Sequence, residues 1–234
     1  MNEFNGKRVW VTGAGSGLGL ALVEQLLDQG ARVAASGRAS EYLQDLSLQY
    51  PENLLLLDGN LTEPREAQAA ARQIADRWGA LECLIINTGT CDYLAVDTPS
   101  AAIFESIVSS NLSASRQCLD SALALLQRAD SPHVVGILSR YSALQLSAPG
   151  QPASVGNSVM QLLSEQRADL AAQAIDLTLI APLDLQVAQP PEQVTPEQWT
   201  AHTAAEVILK HVPERPASLI LEALHLNNLW PLPR

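Results

Sequence analysis

The residues with the clearest chemical capacity lie in one stretch, Thr12-Gly13-Ala14-Gly15-Ser16-Gly17-Leu18-Gly19. Glycine lacks a Cβ, so a turn built from several of them takes positive φ and lets backbone N–H groups approach an anion. The apolar run Val9-Trp10-Val11 precedes the turn, and Leu18, Leu22, Val23, Leu26 and Leu27 recur behind it on one helical face. A strand, a glycine turn and a helix in that order aim a helix N-terminus, with its unpaired N–H groups and positive dipole end, at a diphosphate. The glycines alone read equally as a flexible surface loop; their flanks argue for the binding turn.

The spacing of Gly13, Gly17 and Gly19 resembles that of the short-chain dehydrogenase/reductase family, and the likeness runs along essentially the whole chain. It implies a dinucleotide cofactor and an oxidoreductase acting on a carbonyl or alcohol. The cofactor-binding residues it implies are Thr12, Gly13, Gly15, Ser16, Gly17, Leu18, Gly19, Arg38, Asn60, Leu61, Asn87, Thr88, Gly89 and Pro182. Gly37-Arg38 ends the second apolar run; an arginine there, with no acidic residue, makes room for a ribose 2′-phosphate, so NADP(H) is expected, with NADPH preferred over NADH. Asn60-Leu61-Thr62 stands where the family has Asp-Val-Thr or Asp-Leu-Ser against the adenine edge, and an amide both donates and accepts. Asn87-Thr88-Gly89 resembles Asn-Ala-Gly beside the cofactor, although Asn87 reads equally as a tie between strand ends.

The resemblance assigns catalysis to Ser139, at the position of the catalytic serine, and to Asn111, which would hold a water in a proton relay or serve as a plain structural hydrogen bonder. The family's Tyr-x-x-x-Lys pair is replaced by Ser154 and Ser158, and the glycine after Pro182 by Leu183. A phenol made acidic by a nearby lysine charge is thereby lost. Tyr141, beside Arg140, is the substitute proton donor considered, together with bound water, though no motif places it; Cys91 and Asp92 are expected near the substrate cleft on equally unspecific support. Three readings follow: a divergent NADP(H)-dependent oxidoreductase, a catalytically silent relative acting as a ligand-binding sensor or inactive oligomer partner, and an enzyme of other chemistry such as a dehydratase or cyclase.

The elements that must position these residues alternate along the chain. Strands are expected over 9–11, 31–36, 54–57, 81–86, 133–138, 177–182 and 218–223. Helices are expected over 18–27, after Ser40 through 50, from Thr62 and Pro64 to 78, from Thr98 through 126, across 154–172, and over 196–212. Such alternation implies right-handed crossovers and an α/β, Rossmann-type doubly wound fold, with a seven-stranded parallel sheet flanked by helices. Residues 1–234 read as one NAD(P)-binding domain.

A formal charge of −11, with Lys7 and Lys210 the only lysines, argues against a nucleic-acid or anionic-membrane partner and leaves a small-molecule substrate or ligand. No apolar run reaches the roughly 20 residues that span a bilayer, and no signal segment is recognised, so a cytoplasmic location is expected. Cys83, Cys91 and Cys118 read as reduced thiols, and the four histidines lack metal-ligand spacing, so no metal site is expected. The helices over 103–126 and 154–172 resemble the pair that joins family subunits, which implies a homodimer or homotetramer.

Overall fold

The apolar runs become the seven strands of one sheet: β1 (Arg8–Thr12), β2 (Arg32–Ser36), β3 (Leu54–Leu57), β4 (Cys83–Ile86), β5 (His133–Ile137), β6 (Asp176–Pro182) and β7 (Ser218–Leu221). This computed structural model describes residues 3–38, 40–87, 100–138, 159–182 and 200–221, with the side chains of 100–108 and 182 left aside. Every pairing is parallel, in the order β3-β2-β1-β4-β5-β6-β7. The expected fold class is the one observed.

Among the described residues six α-helices cover the sheet: α1 (Gly17–Asp28), α2 (Glu41–Gln49), α3 (Pro64–Trp78), α4 (Ser100–Leu126), α5 (Val159–Ala172) and α6 (Ala201–His211). A parallel sheet covered on both faces needs strands apolar on both sides, and alternate residues sort them. Val9, Val11, Val33, Ala35, Cys83 and Ile85 face α1, α2 and α6, through Leu22, Leu26, Leu43 and Ile208. Trp10, Ala34, Leu84 and Ile86 face the other way, against Ala67 and Ile74 of α3, Ala114 and Leu119 of α4 and Leu163 of α5. Four alanines of α3, at 67, 70, 71 and in the partly buried position 75, let that helix lie close to the sheet.

Several boundaries move from those expected. Leu81 lies outside the fourth strand because its N–H donates to Leu125 O of α4 at 3.1 Å, so pairing begins at Cys83. Thr62 does not cap α3: the N-cap is Glu63, without a side-chain bond, and Pro64 starts the helix with its φ already set. The Thr62 hydroxyl is engaged by Asn60 instead. Thr200 caps α6 in a reciprocal box with Thr203, setting its start at Ala201; residues 196–199 lie outside the described part. Ser40 caps α2 as expected, accepting from Leu43 N at 3.1 Å.

β1 lies between β2 and β4. The connection from β1 leads one way across the sheet and the connection after β3 leads back past it. The carboxyl ends of β1 and β4 thus lie where the strand order reverses, the place at which open α/β sheets carry a ligand crevice.

Candidate functional site at the carboxyl edge of the sheet

At that crevice β1 runs into the glycine turn. Gly13 has φ +64°, and a Cβ placed on it would stand 2.2 Å from the Asn87 carbonyl oxygen, closer than any side chain tolerates. The same tightness holds at Gly19, whose Cβ would meet Gly13 O at 2.0 Å. Turn, helix start and the end of β4 thus share one small volume. Neutral hydrogen bonds hold them: Asn87 N donates to Thr12 Oγ1 at 3.0 Å, and Asn87 Nδ2 donates to Gly13 O at 3.2 Å. Both side chains are buried, so these bonds form away from water and each partner left alone would be costly.

Ser16 occupies the N-cap of α1 without a side-chain cap bond, and no acidic residue lies in the first turn. A helix start of this kind carries donors and positive potential for an anion. Beside it sits the tip of β2. Ala14 N donates to Ser36 O at 2.9 Å, and a Cβ on Gly15 would come within 2.7 Å of Arg38 O. Arg38 is exposed next to the turn. Trp10, fully buried under the sheet, donates from Nε1 to Ser36 Oγ at 2.8 Å and fixes that tip from below.

One strand further out, the loop after β3 folds on Asn60, whose Oδ1 accepts from Thr62 N at 3.1 Å and from the Thr62 hydroxyl at 2.8 Å. Leu61 is buried and anchors the loop in the core. Ser113 Oγ of α4 donates to Thr62 O at 3.1 Å, joining this loop to the helix that carries Asn111. Asn111 is itself buried, and its carbonyl accepts from Ser115 Oγ at 2.7 Å.

Thr12, Gly13, Gly15, Ser16, Gly17, Leu18, Gly19, Arg38 and Asn87 therefore gather around one turn, with Asn60 and Leu61 in the neighbouring loop and Pro182 at the end of β6 on the same edge. Thr88, Gly89, Cys91, Asp92, Ser139, Arg140, Tyr141, Ser154, Ser158 and Leu183 lie outside the described residues. Trp10, Ser36 and Ser113 carry site-building bonds that the sequence reading missed. A signal for the first two exists in hindsight of register: Trp10 pairs with Ala34, so Ser36 lies two residues along on the same face.

Two buried titratable groups with displaced pKa values, Cys83 and His133, sit at the opposite edge. Burial pushes the Cys83 thiol up to about 12, and burial, reinforced by the Arg215 charge, pulls His133 down to about 4. Thr178 donates to Pro216 O at 2.6 Å, so its oxygen accepts from His133 Nε2 at 2.9 Å, which defines the neutral tautomer. Arg215 pairs with Asp176 and also donates to Ser131 O at 2.8 Å. Both buried thiols described, Cys83 and Cys118, are free. Among the described residues no group of three His, Cys, Asp or Glu is placed to hold a metal, and no helix is long and apolar enough to cross a membrane.

The family model for short chain dehydrogenases matches residues 7–191. Among curated proteins, a 3-phenylpropionate-dihydrodiol/cinnamic acid-dihydrodiol dehydrogenase of Escherichia coli is 37% identical over 105 residues, which is 44% of this chain and 39% of that protein. The match thus spans well under half of the relative's length. Among solved structures, a short-chain dehydrogenase from Streptomyces avermitilis superposes with a TM-score of 0.72 at 20% identity, covering 93% of this chain and 89% of the other. A structure from Novosphingobium aromaticivorans superposes with a TM-score of 0.69 at 16% identity, covering 96% and 84%. At these identities the superpositions speak for the fold.

Proposed function

Because the chain belongs to the short chain dehydrogenase family of oxidoreductases, we propose that it is an NADP(H)-binding member, held to its cofactor by the turn from Thr12 to Gly19, with NADPH preferred over NADH. The observation that carries this reading is the start of α1: an N-terminus with no side-chain cap and no acid in its first turn, pressed against the β2 tip that bears Arg38. The residues present fit such a group. Gly13, Gly15, Ser16, Gly17, Leu18 and Gly19 offer backbone donors to a diphosphate, Arg38 a charge to a 2′-phosphate, and Asn60 with Leu61 the base end. Asn87, Thr88, Gly89 and Pro182 line the way to the nicotinamide end. The whole of residues 1–234 serves as this one cofactor-binding domain.

Bound there, the cofactor supplies or accepts a hydride at a carbonyl or alcohol carbon. The chain's own part is to hold the oxygen and move its proton. Ser139 polarises the oxygen by hydrogen bonding, Tyr141 or a bound water delivers the proton, and Asn111 keeps a water in the relay. Ser154 and Ser158 replace the phenol and ammonium that the family resemblance leads one to expect, so proton transfer is slow compared with that of ordinary members.

That same replacement favours a second reading, a catalytically silent dinucleotide-binding relative that works as a sensor or inactive oligomer partner. Titration calorimetry with NADPH and NADH tests the first step: NADPH binds at least about tenfold tighter, and Arg38→Ala removes the difference. Failure of either nucleotide to bind below millimolar concentration overturns the cofactor reading. NADPH oxidation with a panel of carbonyl compounds then separates enzyme from silent binder. The protein acts at a small molecule in the cytoplasm, as a homodimer or homotetramer joined through residues 103–126 and 154–172; a monomer in sedimentation overturns that assembly.

A further inference from the structure

The loop after β3 constrains which purine base the site requires. Asn60 Oδ1 accepts two hydrogen bonds from Thr62, one from its N–H and one from its hydroxyl, so both lone pairs of that oxygen are used. The arrangement is held from several sides: Glu63 N donates to Asn60 O at 2.9 Å, Ser113 Oγ donates to Thr62 O at 3.1 Å, and Leu61 is 2% exposed. Reversing the amide would set its NH2 group against the Thr62 N–H, donor against donor. Oδ1 is therefore turned inward to Thr62, and Nδ2, on an exposed residue, is the group left for a ligand.

Sheet order places this loop third in a row. The β1 turn, the β2 tip and the β3 loop lie side by side on neighbouring strands about 4.8 Å apart. A dinucleotide with its diphosphate on the start of α1 and its ribose at Arg38 extends its base toward Asn60. An N–H donor there matches N7 of any purine and O6 of a 6-oxopurine. It has no acceptor for the hydrogens of a 6-amino group, which a carboxylate would have.

We propose that Asn60 makes the base end of this site indifferent to the 6-amino group, so that a 6-oxopurine (hypoxanthine) dinucleotide phosphate binds as well as the adenine form. The proposal rests on the NADP(H) reading above. Titration calorimetry of the full chain with NADPH and with its hypoxanthine counterpart tests it, in the wild type and in Asn60→Asp. The aspartate keeps an oxygen for Thr62, and an unchanged thermal midpoint verifies that the loop is intact. The expected result is a pair of dissociation constants within about fivefold in the wild type, and a preference for the adenine form widened at least about tenfold in Asn60→Asp. A wild-type preference for adenine beyond about fivefold, or an Asn60→Asp ratio that widens less than this, overturns the proposal. If neither nucleotide binds, the NADP(H) reading itself falls and takes this inference with it, an outcome distinct from tight but adenine-selective binding.

Discussion

At the carboxyl edge of the sheet neutral contacts recur among the described residues: Thr12 with Asn87, Asn87 with Gly13, Trp10 with Ser36, Asn60 with Thr62. At the amino edge ion pairs stand beside the neutral His133–Thr178 bond: Arg8 grips Glu82 through its side chain and through its backbone N–H at 2.7 Å, and Arg215 pairs with Asp176. The ionic contacts saturate their partners. Burial raises the Glu82 carboxyl, yet the Arg8 hydrogen bonds outweigh it and hold the group below its ordinary range. Charges there are spent on each other around a pocket lined by Glu82, Cys83, His133 and Arg215. The neutral contacts at the other edge fix the backbone around the start of α1, with the exposed Arg38 next to it.

Substitutions that invade the neutral edge break this comparison most severely. Gly13→Val forces a β-branched residue to φ +64° and against Asn87 O. It costs about 4 kcal/mol of stability and weakens NADPH binding at least about a hundredfold, as read by urea unfolding and calorimetry. Binding retained at the wild-type level would show that the turn is not the cofactor seat.

Acid probes the opposite edge next. His133 is held neutral, with its folded value near 4 against an ordinary 6.5. Because the unfolded chain takes up the proton first, the stability tied to this group is complete above about pH 6.5 and is lost as pH falls toward 4, roughly 3 kcal/mol in all. His133→Gln flattens that limb in urea midpoints measured between pH 7 and 4.5. An unchanged slope would mean that His133 is already exposed to protons in the native state.

A smaller effect sharpens the role of the buried indole. Trp10→Phe keeps most of the volume and deletes the donor to Ser36, costing about 1.5 kcal/mol. Because Ser36 leads into Gly37-Arg38, the ratio of NADPH to NADH affinity narrows as well, whereas a purely packing role would leave the ratio unaltered. Smallest of all, Arg215→Ala removes a half-exposed pair at about 1 kcal/mol and leaves NADPH affinity within about twofold. A large loss of binding from that change would erase the division between the edges.

Much of this architecture was legible before any coordinates. Leu54 to Leu57 and Cys83 to Ile86 are apolar at every position, the mark of strands covered on both faces, and Leu18, Leu22 and Leu26 mark the helix that follows the glycine turn. The glycine turn announced itself for the same local reason. Element ends were less legible where a distant group decided them, as when Leu125 draws Leu81 away from the sheet or Asn60 takes the Thr62 hydroxyl from helix capping. Of the site, the glycines, Arg38, Asn60 and Asn87 were named from the sequence, while Trp10, Ser36 and Ser113 looked like ordinary core and helix residues. Their partners lie 26 and 51 positions away along the chain.

The amino-acid sequence by itself determined the alternation of strands and helices and the glycine turn, because periodicity and Cβ-free residues are properties of short stretches. Only the tertiary structure decided which way the Asn60 amide faces, which carbonyl Gly13 must clear and which strand end Trp10 supports. Each of these depends on a group brought near by parallel pairing and crossover, such as Asn87, 75 positions from Thr12, and no local pattern encodes the distance between them.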